Sequence, residues 1–348
     1  MAKPTVLLVE SPCREVDPEQ WARVQNRFNL LHYDCDTVDE FCRRLAPGGA
    51  YAHIDAIVRV GWLKAGPYAT HQLFCGRPVG LFPTSLKLIC CTGHGFDAAD
   101  IAGLSARGIV YANAPDTCTE AVANTALFLV LNVFRYFSLA EHAVRADRWF
   151  DSRQVGPVAI DPVGQVLGIV GMGDIGLAIA RKAALGLGMR IHYHNRKPRP
   201  ARDLEGLPDG AVYHASLDTL LAVSDCICLA CPLTTDTHHM LSTAQFARAK
   251  SSGLRLVNIA RGGLVDEDAL LAAVQAKQVV GVGLDVHANE PDVRPELRAN
   301  YWTTLLPHIG VCSRTSWLNF DRQVLSNLEN YFYGDKKTVT AVNAELLE

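Results

Sequence analysis

Short apolar runs alternate with stretches of helical spacing along most of the chain. This alternation predicts βαβ units with parallel strands. In the first third of the chain the predicted strands are residues 5–9, 29–33, 55–60, 86–91 and 109–112, and the predicted helices are residues 18–27, 38–45 and 98–106. These elements together predict a first α/β domain.

The pattern changes at residue 119. Residues 119–143 are apolar with few helix breakers, but Asn124, Asn132 and Arg135 interrupt them. Such a stretch is too polar to span a membrane and suits a helix that is buried on most sides. We interpret it as a helix that crosses between two domains, and residues 147–162, rich in Gly, Pro and polar residues, as the loop that ends it.

A second alternating series begins at Gln165. Its predicted strands lie near residues 166–170, 190–194, 226–230, 254–259, 279–284 and 303–306. Six strands with intervening helices predict a doubly wound nucleotide-binding domain. Helical spacing returns over residues 316–332 with no further strand set, so we expect this last helix to pack back on the first domain.

Composition and charge exclude several classes of function. A length of 348 residues favours two domains, and a net charge of -3 gives no basic field for nucleic acid or an anionic membrane. The 11 cysteines are an odd number and lie mostly in apolar runs, which suits a reducing compartment. The first apolar run is cut short by Glu10, unlike a signal peptide. We therefore expect a cytoplasmic protein.

Cysteine and histidine clusters do not predict a metal site. The three cysteines between residues 226 and 231 contain one CxxC pair on an apolar strand, without a second ligand pair. The pairs His192/His194 and His238/His239 are not accompanied by carboxylate or cysteine partners. We interpret these side chains as packing or surface residues and expect no metal.

The strongest chemical signal is a glycine turn. Residues 171–176 read Gly-Met-Gly-Asp-Ile-Gly; they follow an apolar strand and open a helical stretch. In a dinucleotide-binding turn, Gly171 permits the tight bend, Gly173 lets the backbone approach a pyrophosphate, and Gly176 allows close helix packing. Asp174 and Ile175 then lie at the helix N-terminus, whose N–H groups attract phosphate. A purely structural βα turn is the alternative interpretation.

The end of the next strand indicates which dinucleotide binds. An acidic residue there would hydrogen-bond the ribose 2′-hydroxyl and repel a 2′-phosphate. This chain instead has Asn195, Arg196 and Lys197, with no carboxylate before Asp203. Together with Arg199, these cations can pair with a 2′-phosphate. We therefore predict NADP, with NAD as the second choice; the alternative is that the charges only solvate a loop.

Three polar motifs follow three later strands, at the sheet edge where ligands bind in open α/β folds. Arg261 emerges from an apolar strand into a glycine-rich loop and can fork onto a carboxylate. Glu290 precedes Pro291, which holds it extended. A histidine beside a carboxylate is stabilised in its protonated form, so His308 can donate a proton to a carbonyl oxygen and take it back. We predict these three residues to be catalytic.

Together these motifs resemble the D-isomer-specific 2-hydroxyacid dehydrogenases over nearly the whole chain. The matching segments are residues 93–97, 171–176, 231–234 with Thr237, 258–262, 285–291 and 307–310. Residues 185–189 and 237–239 are similar to fungal D-mandelate dehydrogenase-like members, whereas the basic loop is similar to glyoxylate/hydroxypyruvate reductases. The size of the substrate therefore stays open.

The resemblance implies a fold with two doubly wound parallel-sheet domains. A Rossmann cofactor domain, residues 119–315, would be inserted into a flavodoxin-like substrate domain, residues 1–118 and 316–348. It also implies D stereochemistry and a homodimer formed through the cofactor domain. The expected function is hydride transfer between NADP(H) and a D-2-hydroxy acid/2-oxo acid pair.

The resemblance further assigns roles to residues. Arg261 would bind and polarise the 2-oxo acid, His308 would be the acid/base, and Glu290 would orient it. Substrate contacts are implied at Val60, Gly61 and Trp62. Additional cofactor contacts are implied at Thr119, Cys231, Pro232, Thr237, Ala260, Asp285, His308 and Gly310.

The chain departs from the family pattern at two positions. Asn124 stands where the family's long helix commonly has a carboxylate, and Asn195 replaces the aspartate of NAD-using members. The second departure strengthens the prediction of NADP. A second function also stays open, that of a dinucleotide-sensing, corepressor-like interaction protein on the same fold, because some relatives of this family act as transcriptional corepressors. Turnover of 2-oxo acids distinguishes the two, and the absence of a long disordered tail or recruitment segment favours the enzyme.

Overall fold

The computed structural model describes residues 2–10, 17–60 and 72–348. The chain forms two compact units, Met1–Cys118 with Cys312–Glu348, and Thr119–Val311. The second boundary lies four residues earlier than the sequence predicts. The Ser313 side chain caps the last long helix by accepting the N–H of Ser316 at 3.0 Å, so this helix begins at Arg314, two residues before the helical spacing predicts.

The first unit is built on a five-stranded sheet of order β2-β1-β3-β4-β5, in which every pair is parallel. The strands are β1 (Thr5–Val9), β2 (Asn29–His32), β3 (Ala56–Arg59), β4 (Leu88–Cys91) and β5 (Val110–Ala112). The helices between them are α1 (Pro18–Arg27), α2 (Val38–Leu45), α3 (Arg77–Leu81) and α4 (Ile101–Ala106). This strand order is that of flavodoxin-like folds.

The second unit contains a seven-stranded parallel sheet of order β12-β11-β10-β9-β6-β7-β8. Its helices begin with α5 (Thr119–Arg135) and α6 (Phe137–Arg145), followed by a 3₁₀ segment, Trp149–Val155. The remaining elements are β6 (Val166–Val170), α7 (Asp174–Leu187), β7 (Arg190–His194), β8 (Ala211–His214), α8 (Leu217–Leu221), β9 (Cys226–Leu229), α9 (Thr243–Phe246), β10 (Leu254–Asn258), α10 (Glu267–Gln275), β11 (Val279–Leu284), α11 (Pro295–Ala299) and β12 (Thr303–Leu305).

The last helix, α12 (Arg314–Tyr333), belongs to the first unit. It contacts α1, where the Gln20 amide donates to the Ser326 hydroxyl at 3.0 Å. Phe320, Val324 and Leu328 on its buried face are fully enclosed. The second unit is thus inserted in sequence between two segments of the first. The predicted class, two doubly wound α/β domains with one of Rossmann type, is confirmed.

Sequence reasoning missed β8 and therefore predicted six strands instead of seven. Ala211–His214 is an edge strand whose four residues are all partly or largely exposed. An edge strand of this kind lacks the continuous apolar run that marks the inner strands β6 and β9. Its pairing with β7 is visible only once the chain has folded.

The predicted crossing helix, residues 119–143, is in fact two helices, α5 and α6, bent by 79°. Tyr136 separates them in a left-handed conformation, φ +54°, and its hydroxyl donates to the carbonyl of Val280 at 2.7 Å. The Asn132 side chain accepts the N–H of Ser138 at 2.9 Å and so satisfies a backbone donor in the first turn of α6.

Among the described residues, no single helix has the length and apolarity to cross a membrane, although α5 and α6 meet that test when taken as one bent pair.

Candidate active site

The chemistry-bearing residues of the second unit follow strands that all run in one direction. Gly171 follows β6, Asn195 follows β7, and Cys231 lies just beyond β9. Arg261 lies three residues beyond β10, and His308 lies three residues beyond β12. Because these strands are parallel, their carboxyl ends line one edge of the sheet, which is the edge that binds ligands in doubly wound folds.

The glycine turn has the geometry that its sequence predicts. Gly171 has φ +99°, and a Cβ there would lie 2.6 Å from the backbone nitrogen of Cys231. A Cβ on Gly176 would lie only 2.1 Å from the carbonyl oxygen of Gly171. Gly173 is exposed, and a Cβ there would have no neighbour within 4 Å. The turn is therefore tight on its protein side and open at Gly173, just before the N-terminus of α7.

This arrangement fits a dinucleotide pyrophosphate. The open backbone at Gly173 and the N-terminus of a 14-residue helix supply unpaired N–H groups and a positive dipole end. Asp174 is exposed and Ile175 is half-buried at the first turn of α7. These residues can hold the phosphates with main-chain groups.

Asn195 has a structural role that the sequence did not reveal. Its side-chain Oδ1 accepts the backbone N–H of Met172 at 2.7 Å, and its carbonyl accepts the Tyr213 hydroxyl at 3.2 Å. Asn195 thereby ties the end of β7 both to the glycine turn and to β8. The expected position of Asn195 beside the cofactor turn agrees with this geometry, and its contact with a ribose stays a prediction.

The basic loop after β7 differs in one respect from expectation. Arg199 is half-buried, and its guanidinium lies 3.5 Å from Asp174 and 3.6 Å from Asp203. Two carboxylates therefore lie within ion-pair distance of this guanidinium. Arg196 and Lys197 are exposed to solvent, so these two cations remain the candidates for a 2′-phosphate.

The segment after β9 is a closed turn. The Thr237 hydroxyl donates to the carbonyl of Pro232 at 2.8 Å and accepts the N–H of Thr234 at 2.8 Å. Burial raises the pKa of the Cys231 thiol to about 11 and that of Cys228 to about 12, so both stay protonated at neutral pH. No group of three His, Cys, Asp or Glu side chains in residues 2–10, 17–60 and 72–348 is placed to hold a metal ion.

The Arg261 loop is fastened by the buried Asn258. The Asn258 amide donates to the carbonyl of Arg261 at 2.8 Å, while its oxygen accepts the N–H of Ala260 at 3.0 Å. Arg261 itself is half-buried and donates from Nη1 to the carbonyl of Ala260 at 2.7 Å. The chain after β10 is thus held in one conformation, and the Arg261 guanidinium is bonded to the carbonyl of its own loop.

Glu290 and His308 form a direct pair. His308 Nδ1 lies 2.8 Å from Glu290 Oε2, and both side chains are partly exposed, at 32% and 22%. A distance of 2.8 Å is that of a charge-assisted hydrogen bond. Glu290 Oε1 accepts the backbone N–H of His287 at 3.1 Å, which fixes the carboxylate plane. His308 has φ +56°, an uncommon left-handed conformation for a residue other than glycine.

Asp285 holds the residues that follow His308. Its Oδ1 accepts the N–H of Ile309 and its Oδ2 that of Gly310, both at 2.8 Å. The side chain is buried, and burial raises the pKa of Asp285, although the two hydrogen bonds and the nearby His308 oppose that rise. A Cβ on Gly310 would lie 2.8 Å from Asp285 Oδ2, so only glycine fits this close contact.

The three predicted catalytic segments meet through the backbone of residues 287 and 288. A Cβ on Gly262, next to Arg261, would lie 2.1 Å from the carbonyl carbon of His287 and 2.4 Å from the nitrogen of Ala288. The loops after β10 and β11 therefore pack directly against one another, and the Glu290–His308 pair joins the loop after β12 to the loop after β11. The structure thus places the main chain next to Arg261 against the segment that carries Glu290.

Thr119 and Val60 are the remaining predicted site residues that the structure describes. Thr119 is the first residue of α5, next to Glu120, which pairs with Lys182 of α7 at 2.9 Å. Val60 is buried just after β3 in the first unit. Gly61 and Trp62 lie outside the described residues, so their proposed contact with a substrate carboxylate stays a prediction.

Sequence reasoning missed His287, Glu267 and Tyr213 as members of this region. Glu267, at the start of α10, accepts the N–H of Ala288 at 3.1 Å across 21 residues of sequence. No local pattern marks such a bond. His287 is different, because it stands two residues after Asp285 within a motif that already indicated a site.

Fold and site together define a dinucleotide-dependent oxidoreductase with a histidine–carboxylate pair. The family model for the NAD-binding domain of D-isomer specific 2-hydroxyacid dehydrogenases matches residues 127–310. The chain belongs to this family. It is therefore an enzyme of 2-hydroxy acid/2-oxo acid oxidoreduction with an NAD-binding domain.

Individual relatives support this assignment. The chain is 35% identical over 314 residues to 4-methyl-2-oxopentanoate reductase A of Aspergillus oryzae, covering 90% of each protein. It superposes on the holo form of Rhodotorula graminis D-mandelate dehydrogenase with TM-score 0.92 and 33% identity, over 99% of this chain and 98% of that one.

A third relative was solved with its cofactor. The NADPH-dependent glyoxylate/hydroxypyruvate reductase of Sinorhizobium meliloti, in complex with NADP and malonate, matches with TM-score 0.75 and 30% identity, over 95% of this chain and 94% of that one.

Proposed function

We propose that this chain reduces 2-oxo acids to D-2-hydroxy acids with NADPH as the preferred cofactor, and that His308 is the acid/base. One observation carries the proposal. His308 is paired to Glu290 at 2.8 Å, beside the Arg261 loop and on the same sheet edge as the glycine turn. A proton donor, a cationic anchor and a dinucleotide turn at one edge are the parts that this reaction needs.

The proton transfer follows from the contacts of His308. Nδ1 faces the Glu290 carboxylate, so Nε2 is the nitrogen that holds the transferable proton. In reduction Nε2 donates this proton to the carbonyl oxygen, and in oxidation it accepts the proton of the hydroxyl. Glu290 stabilises the positively charged ring before the proton leaves. The nicotinamide cofactor supplies or takes the hydride.

Arg261 binds the anionic substrate in this proposal. Its planar guanidinium can contact a carboxylate with two parallel hydrogen bonds, which a lysine cannot reproduce. The bonds from Asn258 hold the loop before substrate arrives, so little ordering remains to be done on binding. D stereochemistry is expected from the family.

The NADP preference rests on the loop after β7. Asn195 stands where a carboxylate would select NAD, and Arg196 and Lys197 are exposed beside it. The Sinorhizobium relative, whose structure holds NADP, shows that the family includes users of this cofactor. Because Arg199 is paired with two carboxylates, we attribute the preference for NADP to Arg196 and Lys197, the two exposed cations.

The experiment is a steady-state assay with NADPH and NADH on a panel of 2-oxo acids. The panel contains glyoxylate, hydroxypyruvate, 4-methyl-2-oxopentanoate, phenylpyruvate and benzoylformate, which spans small, branched and aromatic side chains. We expect turnover of at least one substrate, with higher kcat/KM for NADPH. His308→Gln should lower kcat by about a hundredfold or more while NADPH still binds. Absence of turnover on the whole panel, with NADPH bound, would favour the sensing function instead.

We also propose that the protein is a homodimer formed through its second unit. Large apolar side chains are exposed between residues 128 and 163, among them Phe137, Val144, Trp149 and Phe150. Trp149 and Phe150 are 65% and 67% exposed. Exposed aromatic clusters of this kind are typical of protein interfaces. A second copy of the chain is the occupant that the family expectation favours.

Analytical ultracentrifugation tests the dimer. The wild type should sediment at twice its 37.9 kDa mass, and Trp149→Glu with Phe150→Glu should produce monomers. A matched control is Val212→Glu, at a half-exposed apolar residue on the edge strand β8. A monomeric wild type would refute the proposal.

The cytoplasmic location is proposed from the free cysteines, and localisation of a tagged protein tests it.

A further inference from the structure

His287 lies where the three proposed catalytic segments meet, yet the function proposed above gives it no role. It is the third residue after β11, between Asp285 and Glu290 in sequence. The residue is buried, with 6% of its surface exposed. A buried histidine at this junction therefore calls for a physical account.

The backbone of His287 contacts two of the segments. Its N–H donates to Glu290 Oε1 at 3.1 Å, while the other oxygen of that carboxylate pairs with His308. Its carbonyl group occupies the space that a side chain on Gly262 would need, with the carbonyl carbon 2.1 Å from the position of such a Cβ. A shift of residue 287 would consequently move both Glu290 and the loop of Arg261.

The ring of His287 contacts the third segment. Nε2 lies 2.9 Å from the carbonyl oxygen of Leu306, two residues before His308. Because a carbonyl can only accept, Nε2 must carry the proton. Leu306 is itself held to β11 by its own N–H, which donates to Leu284 at 2.8 Å. The ring thus fastens the chain immediately before the proposed proton donor.

The second ring nitrogen indicates that this bond has a function. With the proton on Nε2, Nδ1 is a bare acceptor, and it is buried without a hydrogen-bond partner among residues 2–10, 17–60 and 72–348. A buried acceptor without a donor destabilises the folded protein. A phenylalanine would fill similar space without that cost. The donated bond to Leu306 is the property that a phenylalanine would lack.

We propose that His287 is a positioning residue that holds His308 in register with Glu290 through the Leu306 carbonyl. The backbone of His308 is left-handed, a conformation that persists only where surrounding contacts enforce it. Asp285 fixes the chain after His308 by binding the N–H groups of Ile309 and Gly310. His287 fixes the chain before it. The inference rests on the proposed acid/base role of His308.

Two variants separate the hydrogen bond from the packing. His287→Phe keeps the volume of the ring and removes the donor. His287→Gln keeps a donor, since its terminal amide reaches about as far as Nε2. In His287→Phe we expect kcat to fall about tenfold or more, because displacement of a reacting group by a fraction of an ångström is costly. KM for the 2-oxo acid should change little, and His287→Gln should recover most of the rate.

Two further readouts distinguish positioning from simple stabilisation. The pH profile of kcat/KM should shift in His287→Phe, since the pairing of His308 with Glu290 changes. Amide hydrogen exchange over residues 306–310 should be faster in His287→Phe than in His287→Gln, with residues 254–258 of β10 as the internal reference. If His287→Phe lowers only the Tm and leaves kcat and the pH profile unchanged, the positioning role is refuted.

The exchange measurement needs no turnover. If the wild type reduces no 2-oxo acid, the proposed function fails. Equal hydrogen exchange in His287→Phe and His287→Gln would refute the positioning role of His287 independently of that result. Should His287→Phe not fold, His287→Asn replaces it, because its shorter amide does not reach Leu306. Wild-type kcat and wild-type exchange in that variant would likewise overturn the inference.

Discussion

A single methyl group at Gly262 should disable the enzyme, whereas one at the next residue should not. A Cβ on Gly262 would lie 2.1, 2.2 and 2.4 Å from the carbonyl carbon and oxygen of His287 and the nitrogen of Ala288. All three are main-chain atoms, so no side-chain rotation relieves the contact. Neither Gly262 nor Gly263 has a positive φ, so backbone strain does not contribute.

The size of the effect follows from these distances. Carbon atoms in ordinary contact are about 3.5–4.0 Å apart, so the loops must separate by roughly 1.4 Å or more. The two loops carry Arg261 on one side and Glu290 on the other. A misplacement of about 1 Å can lower an enzymatic rate about a hundredfold. Overpacking of this kind also costs about 1–3 kcal/mol, equivalent to a fall in Tm of about 2–12 °C in a domain of this size.

The control is Gly263→Ala. A Cβ there would lie 3.1 Å from Cδ2 and 3.4 Å from Cδ1 of Leu233, a flexible side chain that can move. Both variants are assayed for kcat/KM with NADPH and the best 2-oxo acid, and for Tm by calorimetry. We expect Gly262→Ala to lose about two orders of magnitude and Gly263→Ala to remain close to wild type. Equal behaviour of the two variants would show that the contact between the loops does not position the catalytic groups.

Three other predictions follow from particular contacts. Arg196→Ser with Lys197→Ser should lower the NADPH/NADH ratio of kcat/KM about tenfold or more, through loss of charged contacts, and an unchanged ratio would remove these residues from cofactor selection. Burial and the charge of His214 lower the pKa of His192, and burial and the charge of His194 lower the pKa of His214. The stability that these neutral rings provide is therefore present above the unfolded pKa near 6.5 and is lost as pH falls. The drop in Tm between pH 7.5 and 5.5 should consequently be smaller in His214→Gln. Asp285→Ala should reduce the free energy of unfolding by about 2 kcal/mol in denaturant titrations, because two amide N–H groups lose their acceptor while removal of a buried charge offsets part of the loss. Burial raises the folded pKa of Asp285, so the free energy of unfolding of the wild type should fall as pH rises from about 3.8 through that folded pKa. The variant should lack this pH dependence.

Sequence determined the class of fold and most of the chemistry. Apolar runs identified inner strands such as β6 and β9, because a strand covered on both faces is apolar throughout. The glycine turn could be recognised because its constraints act within six residues. Arg261, Glu290 and His308 could be selected because each follows a strand, and the carboxyl ends of parallel strands meet at one edge.

The sequence did not predict the hydrogen-bond and ion-pair partners of individual polar groups. Periodicity indicates that a residue is buried or exposed, but it does not indicate what lies opposite. Arg199 was grouped with Arg196 and Lys197, yet the fold pairs it with Asp174 and Asp203. Asn195 was interpreted only through the cofactor, yet its side chain holds the N–H of Met172.

Tertiary structure also decided where elements end. The stretch at residues 119–143 was predicted as one helix, whereas the structure bends it at Tyr136, whose hydroxyl bonds to Val280, 144 residues away. The contact of Gly262 with His287 likewise joins loops that are distant in sequence. The chain thus encodes its strands, its cofactor turn and its catalytic side chains locally, while the alignment of those side chains depends on close packing between loops that only the folded sheet brings together.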